Sequence, residues 1–310
     1  MKRLILGILA IAILLTGCAS EPAEPAPTIE KTLRIGLMPD DGILPYLYGA
    51  QQGYFEEEGI IVSFEIFMSA LDRDAALQAG ELDAIYSDVI SLLYYAEAGT
   101  PLQAVSSTQA TYGIAIQKTP DGISSLKGQS VGLSTNTLME YLVDLALAKE
   151  GLAEDDIEKI AIPSLPNRLE SYRAGQISAI ALPEPLLSLA VLTNGQIIET
   201  AESIDLEPGV LLVEETWLNE SADSMSNFFA AYDRAVEGLN TGAAQEDLLE
   251  IYSQAKFPAP VVETFVLPTY HPAQAPAPKE IQKAIDWLTA RELIEGDHSY
   301  ESLVSPLLQK

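Results

Sequence analysis

"RDAALQAGELDAI" (Arg73–Ile85) and "RLESYRAGQISAI" (Arg168–Ile180) say nearly the same thing at two places in one chain. The step from Gly80 to Gly175, 95 residues, also lays Ser69 over Ser164, Arg73 over Arg168, Ala79 over Ala174, Ala84 over Ala179 and Ile85 over Ile180. In each copy a helix-forming run ends at Ala-Gly, a natural C-terminal stop, and feeds a short apolar strand.

The likeness extends upstream. "RIGLMPDD" (34–41) sits over "SVGLSTNT" (130–137) at a step of 96, so one residue of slippage separates the two matches. Each copy then reads as strand, polar loop, helix, strand, serine-containing loop, helix, strand and polar loop. Two such units are too large and too few for a solenoid; they predict two lobes of similar topology. Within the first unit, "LRIGLM" (33–38), "IIVSFEIF" (60–67) and "LDAIYS" (82–87) are strands. Leu44, Leu47, Tyr48 and Phe55 mark a helix between the first two. Such alternation signals a mainly parallel sheet flanked by helices, the α/β class.

Past Thr200 the pattern changes. "GVLLVEETWL" (209–218) is a strand returning from the second lobe. An amphipathic helix follows, with Met225, Phe228, Phe229, Tyr232, Val236 and Leu239 on one face. Residues 258–278 are a proline-rich connection, and a last helix carries Ile281, Ala284, Ile285 and Leu288. These C-terminal helices are expected to return to the first lobe.

The chain begins Met1-Lys2-Arg3, followed by an apolar run from Leu4 to Leu15. A basic start, a short apolar stretch and a small-residue site form a secretory signal, residues 1–17. The run falls short of the roughly 20 apolar residues of a membrane span. Leu15-Thr16-Gly17-Cys18 resembles the bacterial lipobox, which implies lipidation at Cys18, the chain's one cysteine. Residues 18–32, rich in Pro, Ala and Glu, read as a flexible tether that cannot form a core.

Export with Cys18 lipidated leaves no thiol for a disulfide, a metal or a nucleophile. Loss of Lys2 and Arg3 moves the formal charge from −28 to −30, which repels nucleic acid and keeps an exported protein soluble. There is no G-x-x-x-x-G-K-[ST] loop and no His-Glu-x-x-His pair. His271 and His298 stand in late segments without a metal-ligand or triad pattern. No spacing singles out an acid–base pair among the 45 carboxylates. No cofactor, metal or catalytic residue is expected.

What the chain offers instead is polar loops at the carboxyl ends of its strands, where open α/β sheets bind ligands. They span residues 38–46, 68–73, 86–88, 106–108, 134–137, 164–168 and 183–185. Several lead into helix N-termini, whose free N–H groups favour an acceptor atom.

"GYFEEEGIIVSFEIF" (53–67), "ALQAGELDA" (76–84), "SSLKGQSVGL" (124–133), "AGQISAIALPEP" (174–185) and "AIDWL" (284–288), together with the lipobox, resemble an ABC-transporter substrate-binding lipoprotein. The similarity is narrower still to the branch covering nitrate, sulfonate, taurine and thiamine-pyrimidine precursors. It implies a two-lobed periplasmic-binding-protein fold (type II) that closes on a solute by a hinge motion and delivers it to a permease and its ATPase. Lobe 1 would be residues 33–113 and 210–310 and lobe 2 residues 114–209, with crossings near Tyr112–Lys118 and Ile204–Val213. The protein would be an extracytoplasmic monomer, lipid-anchored to the bacterial cell membrane. A ligand-presenting sensor lipoprotein and an enzyme of the same fold acting on a small aromatic metabolite are the alternatives.

Carried onto this sequence, the resemblance implies ligand contacts from Asp40, Asp41, Tyr46, Ser69, Arg73, Ser87, Asp88 and Thr108. Across the cleft it implies Ser134, Thr135, Asn136 and Glu184. For each hydroxyl or amide, helix capping competes with binding as the role. Arg73 and Arg168 are either forks for a carboxylate or sulfonate, or architectural residues tied to local acceptors. Asp40, Asp41, Asp88 and Glu184 oppose a bare anion. With Tyr46, Tyr86 and Tyr112 they suit an amine-bearing, pyrimidine-like heterocycle, a sulfonate or nitrate-type anion being the other possibility.

Overall fold

Strands form where short apolar runs are bounded by turn residues, and helices cover them on both faces. The structure is a computed structural model that describes residues 32–117, 122–192 and 195–309. The leader, Cys18, the tether through Lys31 and Lys118 lie outside the described residues. The described strands are β1 (Leu33–Leu37), β2 (Val62–Ile66), β3 (Ala84–Asp88), β4 (Leu102–Ser107), β5 (Tyr112–Gln117), β6 (Ser130–Leu133), β7 (Glu158–Ala161), β8 (Ala179–Pro183), β9 (Gly195–Thr200) and β10 (Gly209–Glu214). They build two five-stranded sheets, ordered β2-β1-β3-β10-β4 and β7-β6-β8-β5-β9.

Position by position the two sheets share one topology. In the first, β1 pairs in parallel with β2 and β3, and β10 runs antiparallel between β3 and β4. In the second, β6 pairs in parallel with β7 and β8, and β5 runs antiparallel between β8 and β9. The reversed strand is in each case the one that has just crossed over. A chain leaving the carboxyl end of β4 or β9 enters the facing sheet from its cleft edge, so it must run away from the cleft. The crossings are residues 108–111 and 201–208. Tyr112 already pairs with Pro183 and Gly209 with Asp88, so the change of sheet falls slightly earlier than the sequence boundaries 113/114 and 209/210. Backbone groups entering a sheet pair at once, because unpaired buried ones are costly.

The predicted strand over 209–218 stops at Glu214, and Glu215–Glu220 forms a helix that buries Trp217. The amphipathic reading of the next helix holds: Ala222–Thr241 buries Met225, Phe228, Phe229, Tyr232, Val236 and Leu239 in the first-lobe core. The helix expected over 281–288 forms at Pro278–Ala290 and packs beside Val89–Glu97 of the first lobe, with one more short helix, Tyr300–Leu303, after it. The end of Pro278–Ala290 reaches the second lobe, where Arg291 pairs with Asp144 at 2.8 Å and lies 4.3 Å over the Trp287 ring. Trp287 in turn meets Tyr141, centroid to centroid at 5.0 Å. Among the described residues no helix is long and apolar enough to cross a membrane.

The repeated arginines explain the repeat. β1 pairs with β3 only through Ala84 and Ile85, leaving the Tyr86 carbonyl beyond the ladder's end. Arg73, from the helix Ala70–Gln78, donates to that carbonyl at 2.6 Å. In the second lobe β6 pairs with β8 through Ala179 and Ile180, and Arg168, from the helix Leu165–Arg173, donates to the Ala181 carbonyl at 2.9 Å. Glycines at matching positions make room for the two stems. A methyl group on Gly36 would stand 3.0 Å from Arg73 Cγ and 2.6 Å from Leu82 Cδ1. One on Gly132 would meet Ile177 Cδ1 and stand 3.4 Å from Arg168 Cγ.

Gly132→Ala is therefore expected to destabilise the protein by about 1–3 kcal/mol through overpacking. Urea denaturation checks this, and an unchanged midpoint would show that Ile177 gives way to the added methyl without cost.

Candidate functional site

Between the carboxyl ends of the two sets of strands lies a cavity of ≈ 50 Å³. From the first lobe Met38, Asp40, Ala70, Arg73, Tyr86, Ser87 and Asp88 line it; from the second come Tyr112, Ser134, Thr137, Leu138, Met139, Pro163, Leu165, Arg168 and Pro183. The lobes touch around it. The Leu165 N–H donates to the Met68 carbonyl at 3.1 Å, so the matching loops of the two repeats meet each other. The Tyr94 hydroxyl donates to Asn136 Oδ1 at 3.1 Å.

Of the residues expected to bind ligand, Asp40, Arg73, Ser87, Asp88 and Ser134 come together at this cavity. Asp41 and Glu184 instead flank a neighbouring cavity of ≈ 260 Å³, together with Thr111, Ser188 and Phe265. Thr108 and Asp41 line a third, of ≈ 510 Å³, along the crossings. Ser69 is buried at the head of Ala70–Gln78 without capping it through its side chain. Thr135 and Asn136 are exposed, Asn136 in a left-handed conformation (φ 58°) with its N–H on Glu140.

Tyr46 is a core residue rather than a cleft one. The loop read over 38–46 already turns helical at Asp41–Ile43, and Leu44–Gln51 carries the Tyr46 ring inward to 4.9 Å from Tyr232 and 6.1 Å from Tyr86. The sequence reasoning gave no ligand role to Met38, Thr137, Leu138, Met139 or Leu165. Met38, Thr137 and Leu165 fall inside the polar loops 38–46, 134–137 and 164–168, and Leu138 and Met139 follow one of them directly, which was the available signal.

The arginines line the cavity with three of their five N–H donors engaged in each case. Arg73 Nε and Nη2 donate to Asp74 Oδ1 at 2.9 and 2.7 Å while Nη1 holds the Tyr86 carbonyl. Arg168 donates to the carbonyls of Ile162, Pro163 and Ala181 at 2.8, 3.3 and 2.9 Å. Burial among carbonyls, with no carboxylate partner, lowers Arg168 to about 10. Both side chains are architectural.

The acidic groups remain. Asp88 Oδ1 caps its helix, accepting from Ile90 N and Ser91 N at 3.0 and 2.9 Å. Burial raises it, against the backbone N–H groups of Ser91 and of Leu138 across the cleft. Burial, reinforced by Asp41, holds Asp40 well above the usual carboxylate range, with Gly42 N–H and Tyr86 opposing. Asp41 is pushed up to about 7 by burial and by Glu184, against the Thr111 N–H that donates to it at 2.8 Å. Burial also raises Glu184, against the Ser188 backbone and hydroxyl bonds it accepts. Ser87 Oγ is buried, lines the cavity and has no hydrogen-bond partner among the described residues. Among those residues no group of three or more His, Cys, Asp or Glu side chains is placed to hold a metal ion.

These carboxyls bind protons more tightly in the folded state than in the unfolded chain. The stability they contribute is present on the acid side and is lost as pH rises through the folded value, about 7 for Asp41. The melting temperature is thus expected to fall between about pH 5 and pH 8, and Asp41→Asn to flatten part of that slope. Thermal scans across this range check it, a rise with pH being the contrary result.

Comparison with known proteins agrees with this architecture. A family model described as NMT1/THI5 like matches residues 41–240, more than half of the chain. A Bacillus subtilis protein named for aliphatic sulfonates binding is 26% identical over 248 residues, covering 76% of this chain and 74% of that protein. The alkanesulfonate-binding protein SsuA of Xanthomonas axonopodis pv. citri, bound to MOPS, superposes with a TM-score of 0.75 at 21% identity, covering 87% of this chain and 96% of that one. The periplasmic aliphatic sulphonate binding protein SsuA of Escherichia coli gives 0.75 at 17% identity, covering 90% and 98%.

Proposed function

Because the chain belongs to the NMT1/THI5-like family and has the fold of periplasmic solute-binding proteins, we propose that it captures a solute between its two lobes for an ABC permease and its ATPase. The observation that carries this reading is the cavity enclosed by strand ends of both sheets, with only residues 108–111 and 201–208 joining them. Two short crossings let the lobes rotate as bodies, so closure traps a solute and opening releases it. The protein works outside the cytoplasm as a monomer held to the membrane by lipid on Cys18. Capture rather than chemistry fits the site, since its carboxyls and arginines cap helices, complete sheets or bond nearby groups, while Ser87 Oγ is left without a partner among the described residues.

For the solute, the largely engaged arginines and the acceptors of Asp40, Ser87 and Asp88 support an amine-bearing compound over a sulfonate or nitrate. An incoming N–H donor meets acceptors at Asp40, Ser87 and Asp88, whereas three of the five N–H groups on each arginine are already held by Asp74 or by backbone carbonyls.

Native mass spectrometry of freshly purified protein is expected to show a co-purified small solute. Calorimetry should give saturable heat with N–H-donating amines or amidines and none with alkanesulfonates or nitrate. Saturable sulfonate binding with no amine binding would overturn the ligand reading and leave capture intact. Failure of every solute in a broad thermal-shift panel would overturn capture itself, since a ligand bound only by the folded state must raise the melting temperature.

A further inference from the structure

We propose that the closed cleft admits only a compact, N–H-donating solute of roughly five non-hydrogen atoms or fewer, and that Met139 and Met38 set this limit. The inference rests on the solute-capture reading and narrows it. The lobes are already in contact, through the Leu165–Met68 backbone bond, the Tyr94–Asn136 bond and the Arg291–Asp144 pair. What they enclose is therefore the bound-state volume. At about 10–15 Å³ for each water-sized sphere, ≈ 50 Å³ gives room for roughly three to five such spheres. An amidine, a small amine or a small amide fits, and a substituted pyrimidine does not.

The walls are apolar and come from both lobes. Met38 reaches from the first lobe into the second-lobe core cluster that contains Leu165. Opposite, Leu138 and Met139 open the helix Leu138–Lys149, and Met139 is 7% exposed. The polar end is the first-lobe edge of the cavity. There Ser87 Oγ, on a side chain 3% exposed, lacks a partner beside Asp88 and Asp40. A buried hydroxyl left unpaired is unfavourable, so a solute that bonds it gains affinity at that end. At the other end thioether and leucine carbons stop the chain or ring. Methionine, unbranched and polarizable, seals irregular gaps of this kind.

The test is a size series of amidines: formamidine, acetamidine and benzamidine, titrated calorimetrically into the wild-type protein, Met139→Ala and Met38→Ala. Thermal melts first establish that each variant is folded, and either variant alone suffices. The wild type is expected to bind acetamidine at least about tenfold more tightly than benzamidine, and a truncated wall to erase or reverse that preference. Equal wild-type affinity for acetamidine and benzamidine would overturn the size limit while the capture reading stands. Binding of alkanesulfonates with no amidine or amine bound would overturn the donor chemistry, again leaving capture. If no solute of any class binds, the capture reading falls and this inference with it.

Discussion

A parallel sheet whose neighbouring strand ends early leaves a carbonyl with nothing to bond, and both sheets here meet that constraint with a buried arginine. Tyr86 and Ala181 stand one residue past the last β1–β3 and β6–β8 pairs, and Arg73 and Arg168 supply the missing donors. Each arginine also ties the first turns of its helix to the strand tip, which fixes the loops containing Met68 and Pro163 where they face each other. Removing either guanidinium would strand carbonyls in the interior, a cost of about 1–3 kcal/mol for each group left unpaired. The same bonds occupy three of the five N–H donors on each cation, so the sheet claims most of what either arginine can offer.

Once the arginines are committed, the field at the cleft is set by carboxyl groups. Asp40, Asp41, Asp88 and Glu184 are all raised, burial being the leading cause in each. Every one of them also has a local duty: a turn bond to Gly42, a bond from Thr111, a helix cap, a bond to Ser188. At these positions the local bond fixes how the side chain is aimed, whatever acceptor capacity it keeps. The fold is shared with sulfonate-binding proteins, while this charge arrangement belongs to the residues of this chain.

The repeated Ala-Gly helix ends made the like topology of the lobes legible, because topology follows from the order of elements and the steps of 95 and 96 preserve that order. Polar loop residues were legible too, since Ser87, Asp88 and Ser134 sit where predicted strands end. The cavity walls were not. Met139 and Leu165 occupy the first turns of helices, where an apolar residue reads as core, and only the meeting of two lobes turns them into a lining. Tyr46 failed in the opposite sense: a polar-tipped ring near a loop suggested the cleft, but helix phase buried it against Phe228 and Tyr232. Pairing across the two lobes has no local sequence signal, so the direction of β5 and β10 was out of reach as well.

The exchanged strands also impose an order of assembly on a chain that emerges N-terminus first. Every strand of the second sheet lies between Tyr112 and Thr200, so that sheet can be completed from one continuous stretch. The first sheet cannot: β3 and β4 are adjacent in sequence yet are joined only through β10, whose Gly209 pairs back to Asp88. Its two halves must wait, edges open, while the whole of the other lobe is threaded past them. Open strand edges invite pairing with foreign chains. The earlier half of the molecule is thus the one that depends on shelter during biogenesis, and the later-emerging lobe is the template on which it closes.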